Sequence, residues 1–266
     1  MGASNLSRLI NQSVMGGVDI PTSFLSDFKR TISEDTLQNQ RKPTPTYKPS
    51  SLKCIRNMYF QRVEAEQDIK KVNPSMVGVA ESGSDRHERI QKYVQKMSKY
   101  GSKFEWVKVS DYLKEHPVPH LQLLDEDEYE TKLEHDILKL RFKCDGILKY
   151  DNEYYILEIK TESSYKWSDR MTIDEEHLPQ GSAYSTLLNI DKVLFLYECR
   201  DICDWRVFVL EVTPEMRSEY VLLPIARCEK YVQSREVPPK PIIATKKFCR
   251  YCNYTKQCKI HPNIEE

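Results

Sequence analysis

The chain has 266 residues, with 40 Lys and Arg balanced by 40 Asp and Glu, and it is 39% hydrophobic and 30% charged. That composition suits one substantial soluble domain, or a domain with an appendage, rather than a disordered chain, and a neutral total neither requires nor excludes a nucleic-acid partner, because steering depends on where charges cluster. No apolar run approaches the roughly 18 residues of a membrane-spanning helix, and "MGASNLSRLINQSVMGG" has no apolar secretory core. A reducing cytoplasmic location and no membrane partner are therefore expected, so the eight cysteines are not read as a disulfide framework.

Residues 1–47, rich in Ser, Thr, Asn, Gln and Pro, read as a flexible or weakly helical extension that ends in the Pro-rich link "RKPTPTYKPSS". Residues 48–266 form the expected domain. Ser50 or Ser51 is placed to cap a helix, "SLKCIRNMYFQRV", and Ser84 or Asp85 to cap a second, "RHERIQKYVQKMSKY", with Ile90, Val94 and Met97 on one face. From about 132 to 160 the pattern changes to short strands. A loop, "TESSYKWSDRMTIDEEH", leads to a helix opened by Pro179, "QGSAYSTLLNI". Two more strands, "KVLFLYEC" and "WRVFVLEV", precede a helix around "PEMRSEYVLLPIARCEKYVQ" and a cysteine-rich tail. Helices, then strands, a helix and more strands indicate a mixed α/β domain.

The chemistry concentrates in "CDGILKYDNEYYILEIK". A two-residue turn at Asp151-Asn152 pairs Tyr150 with Glu153 and, stepping outward, sets Asp145 opposite Glu158. A four-residue loop would instead put Lys160 opposite Asp145, with Glu158 on the diagonal. Opposed like charges destabilise a strand pair, so the pair invites a hard divalent cation, Mg²⁺ or Mn²⁺, which takes oxygen ligands. Lys160 shares a face with Glu158 and could orient an attacking water. A solvated hairpin face is the plainer alternative.

These residues resemble the metal-binding core of the PD-(D/E)XK nuclease superfamily, in which Asp and Glu ligate the metal and Lys assists the water; Cys144 stands where the superfamily's proline would be. The resemblance implies a restriction-endonuclease-like core, a central mixed β-sheet flanked by helices. Gln180 and Tyr184 match the Q-x(3)-Y element of the RecB-like branch, and Gly83 to His87 matches its G-x(3)-H element. In that branch the histidine is a further metal ligand, and the Ile159 carbonyl would complete the set. Glu88 or Glu81 is the alternative to His87.

Cys249, Cys252 and Cys258 lie close enough in the tail to suggest a metal or cluster lacking one ligand, which Cys54 could supply. One cysteine before the core and three after it resemble the iron–sulfur nucleases of CRISPR adaptation and the AddB type. In these a [4Fe-4S] cluster ties the ends of the fold together. Zn²⁺ is the alternative occupant. Lys247 and Arg250 beside the tail, and Tyr165, Lys166, Trp167 and Arg170 after the acidic strand, are candidate contacts to a nucleic-acid strand. The resemblance implies a metal-dependent DNA nuclease, an exonuclease on single strands or DNA ends. An inactive or regulatory iron–sulfur DNA-binding module and an RNA-directed nuclease are the alternatives. Its expected partners are DNA and a helicase, recombination or CRISPR-adaptation protein, in a cytoplasm that would be the host's for a viral protein.

Overall fold

The computed structural model describes residues 20–39, 44–68, 72–241, 249 and 252–262. Two compact units divide the chain: one combines residues 1–42 with 69–82, the other residues 43–68 with 83–266. In the first, helix α1 (Ile20–Gln38) has no buried residue. The second unit reaches into the expected extension, because Tyr47 is fully buried and its backbone bonds to Lys139 and Arg141.

Helix α2 (Ile55–Arg62) follows a short turn, with Cys54 rather than Ser50 or Ser51 at its N-cap. The next helix, α3 (Pro74–Lys96), begins well before the Ser84 or Asp85 cap expected from the sequence. A proline in the first helical turn sacrifices no hydrogen bond, so the helix starts at Pro74 and runs through "ESGSD". Strand β1 (Glu105–Val107) and helix α4 (Val109–Glu115) lead to β2 (Leu121–Glu126), β3 (Thr131–His135) and β4 (Leu140–Cys144), which form a three-stranded antiparallel sheet. Strands β5 (Gly146–Tyr150), β6 (Glu153–Glu162), β7 (Lys192–Cys199) and β8 (Asp204–Glu211) join β1 in a five-stranded sheet of order β1-β5-β6-β7-β8. Only β6 and β7 run parallel. Their connection contains helix α5 (Leu178–Leu188), the crossover that a parallel pair requires. The result is the mixed sheet flanked by helices expected from the sequence.

The two faces of that sheet are covered differently. Leu157 and Ile159 pack with Leu148 against Ile90 and Val94 of α3. Ile156, Val193 and Phe195 join Ala183, Leu187 and Leu188 of α5 in the larger core. The expected C-terminal helix is interrupted: one α-helical turn, Pro214–Arg217, and a π-helical stretch, Ser218–Leu222, precede α6 (Leu223–Ser234). Pro224 has no N–H to return to the preceding turn, which is where a regular helical ladder fails. A final short helix, α7 (Thr255–Ile260), closes the described chain. No helix among the described residues is long and apolar enough to cross a membrane.

Candidate functional site

The β5–β6 hairpin turns at Asp151 and Asn152, both with positive φ (45° and 66°), and pairs Tyr150 with Glu153 through to Gly146 with Leu157. The two-residue alternative of the sequence is the one adopted, and one further step sets Asp145 opposite Glu158. Asp145 lies just before β5, where Oδ2 accepts the Ile159 N–H at 2.8 Å. Gly146 follows because a Cβ there would sit 2.3 Å from the Trp106 ring.

Glu158 is 3% exposed. Its Oε1 lies 2.5 Å from Lys160 Nζ and accepts the Gln180 amide at 2.8 Å. Gln180 Oε1 in turn accepts from Lys160 at 2.8 Å, and its Nε2 donates to the Tyr184 hydroxyl at 2.6 Å. One amide on α5 therefore bridges the carboxylate and ammonium of β6. Burial pushes the Glu158 carboxyl up to about 7 despite the nearby lysine. Burial, with the charges of Glu158 and Asp145, raises the Tyr184 phenol well above its usual range and keeps it neutral.

From the other side α3 delivers His87, whose Nδ1 lies 3.5 Å from Asp145 Oδ2. Burial disfavours the imidazolium, yet the Asp145 hydrogen bond and the charges of Asp145 and Glu158 outweigh it and hold His87 above its ordinary value. One turn later the buried Gln91 donates to the Asp145 carbonyl at 2.7 Å and the Tyr129 carbonyl at 2.6 Å. Sequence reasoning missed Gln91, although its i+4 spacing from His87 was a usable signal. It also missed Glu198, fully buried on β7, which pairs with Arg86 at 3.1 Å and with Arg89, so that two arginines on the turn of α3 that carries His87 are anchored. Glu88 is engaged with Lys92 at 2.6 Å. His177, also unforeseen, is driven down to about 3 by burial and the Lys160 charge, and so is neutral beside Tyr197.

The surface readings need correction. Tyr165 is 87% exposed, and Lys166 is half-exposed beside Asp174. Trp167 and Arg170 are buried instead. Arg170 grips Glu162 with two nitrogens, reaches Asp174 and lies 4.9 Å from the Tyr197 ring centre, while Arg206 stacks on Trp167. A buried guanidinium must be paired, and the loop folds inward to pair this one. Neither side chain is presented to a ligand. Lys247 and Arg250 lie outside the described residues.

Cys54, Cys249, Cys252 and Cys258 all line one cavity of about 300 Å³. Burial pushes the Cys54 thiol up to about 11. Cys144, Cys199 and Cys228 are buried elsewhere in the core.

Donor chemistry decides what each centre suits. Two carboxylates, one in a site that burial makes costly for its charge, are oxygen donors of the kind a hard divalent ion takes, and its charge would offset that cost. Among the described residues no three His, Cys, Asp or Glu side chains converge as tightly as a single-ion site. Four cysteines lining one cavity are a donor set that a [4Fe-4S] centre, with one thiolate per iron, or a tetrahedral Zn²⁺ could use.

No protein-family model matches the chain, and no curated protein matches it. Among solved structures it resembles SSO0001 at 16% identity over 89% of this chain and 97% of that one, with a TM-score of 0.48. It also resembles an alkaline exonuclease, LHK-Exo from Laribacter hongkongensis, at 12% identity over 73% and 94% of the two chains and a TM-score of 0.44. The same exonuclease in complex with dAMP gives 11% identity, coverages of 72% and 89%, and a TM-score of 0.43. Similarities this loose leave function to be read from the chain's own side chains.

Proposed function

We propose that the chain is a metal-dependent DNA nuclease, an exonuclease that hydrolyses phosphodiester bonds on a single strand or at a DNA end. The observation that supports it is one joined cluster: Asp145 opposite Glu158, Lys160 and Gln180 on the second carboxylate, and His87 on the first. Asp145, Glu158, His87 and the Ile159 carbonyl would hold Mg²⁺ or Mn²⁺. When bound, that ion would polarise the scissile phosphate and make water a better nucleophile.

The chain's own residues do the positioning. Gln180 holds the Lys160 ammonium against Glu158, from where Lys160 can orient a water toward a phosphate in the site. His87 and Gln91 fix Asp145 from α3, by its side chain and its carbonyl respectively. Tyr165, exposed beyond the end of β6, would stack on a base of the bound strand. The four cysteines would carry a [4Fe-4S] cluster that ties α2 to the tail. A helicase or recombination partner would supply any unwinding.

The test is digestion of end-labelled single-stranded DNA, double-stranded DNA and RNA with Mg²⁺, Mn²⁺ or a chelator. Stepwise loss of nucleotides from DNA, dependent on a divalent ion, is expected. Cleavage that persists in chelator, or no cleavage of any DNA, would overturn the reading, and cleavage of RNA alone would redirect it.

A further inference from the structure

The cysteine cavity has a charge pattern opposite to that of the hairpin site. Arg56, Lys240 and Lys259 share its wall with the four cysteines, and no Asp or Glu is among the described lining residues. Arg56 is the most deeply placed, 2% exposed although it carries a guanidinium. Its Nε donates to the Pro238 carbonyl at 2.9 Å, and its Nη1 to the carbonyls of Cys258 at 3.2 Å and His261 at 2.7 Å. The same Nη1 lies 3.4 Å from Cys258 Sγ. Next in sequence, Asn57 donates Nδ2 to Cys252 Sγ at 3.3 Å, and the Tyr254 backbone N–H reaches that sulfur at 3.4 Å. The first turn of α2 thus aims a cation and an amide at two different sulfurs of the tail.

Donors of this kind bond more strongly to a charged acceptor than to a neutral thiol. In an iron–sulfur centre, hydrogen bonds to sulfur and nearby charge are among the levers that set the potential. A one-electron reduction adds negative charge to the centre. A guanidinium held beside it, away from solvent, stabilises that added charge more than it would in water.

We infer that Arg56 and Asn57 set the reduction potential of the centre held by Cys54, Cys249, Cys252 and Cys258, keeping it higher than four thiolates alone would. The inference rests on the cluster reading above. Arg56 acts twice, because its carbonyl contacts also hold the tail against α2, and Asn57 acts through one sulfur.

The full chain, reconstituted anaerobically with iron and sulfide, separates these roles. Its midpoint potential is read by electron paramagnetic resonance during titration with dithionite, which supplies the electron. Arg56→Met should lower the midpoint most and Asn57→Leu less, while Arg56→Lys, which keeps the charge but loses the fork, should fall between wild type and Arg56→Met. If Arg56→Met does not load, Asn57→Leu decides, since it leaves the charge and the tail contacts in place. Iron-loaded variants with the wild-type midpoint would overturn this inference and leave the cluster reading standing. A wild-type protein that takes up zinc and no iron would overturn both.

Discussion

Asp145 and Ile159 meet across a two-residue turn, 14 positions apart, whereas Arg56 and Cys258 meet across 202 positions. The first contact closes a short loop between strands that already pair, at small entropic cost; the second closes nearly the whole domain, and the cost of closure grows with loop length. The hairpin site is accordingly assembled by backbone register, and its side chains already answer one another without an added group. The cysteine cavity joins ends that no sheet ladder joins among the described residues, and a bound centre there would hold the closure together. One region should therefore keep its geometry without metal, and the other should depend on it.

The largest expected effect follows from that dependence. Cys258→Ser should abolish iron loading and lower Tm by about 10 °C, the shift that a few kcal/mol makes in a chain of this size. Differential scanning calorimetry with iron analysis checks it, and an unchanged Tm would mean that the tail is not a cross-link.

Next is Gln180→Leu, which removes the bridge between Glu158 and Lys160. Partners of metal-site side chains are worth about 10- to 100-fold in activity or metal affinity. A loss of that size, at unchanged iron content, would show that the two centres are separable. A parallel loss of iron would show that they are coupled.

The smallest effect is thermodynamic. Burial raises Glu158 to about 7, against about 4.3 in an unfolded chain. The native state then holds a proton that the unfolded state releases between those values, so this group makes the metal-free protein lose stability as pH rises through that window. Glu158→Gln lacks that proton. Its urea midpoint in chelator should match the wild type near about pH 4 and exceed it increasingly up to about pH 7. A difference that does not change with pH would contradict the buried, protonated carboxyl.

What the sequence made legible tracks the same division. The register of the hairpin could be counted from residue positions because side chains alternate strictly and the Asp-Asn turn tolerates positive φ. The i, i+4 spacing of Gln180 and Tyr184 likewise fixed that they share a helix face, though not that the amide would join Glu158 to Lys160. Contacts between distant elements were not legible. Gln91, Glu198 and Arg56 look like ordinary helix or strand positions until packing brings them to a carbonyl, a pair of arginines or a sulfur. Arg170 and Trp167 misled because a cation and an indole after an acidic strand read as surface, whereas the carboxylates that pair with Arg170 flank it in sequence, Glu162 at the end of β6 and Asp174 in the loop that follows. The start of α3 was missed because good capping residues at Ser84 and Asp85 occur inside a helix whose apolar face carries on past them.

The most direct test of the account is single-turnover cleavage of end-labelled DNA by Asp145→Ala and Lys160→Ala, with iron content and Tm measured on the same preparations. Asp145→Ala should lose cleavage, and Lys160→Ala should fall by about 10²- to 10⁴-fold, the usual contribution of one positioned proton-handling group, with iron content at the wild-type value and the fold retained below each variant's own Tm. Cleavage at the wild-type rate in either variant would contradict the assignment of this hairpin as the catalytic centre.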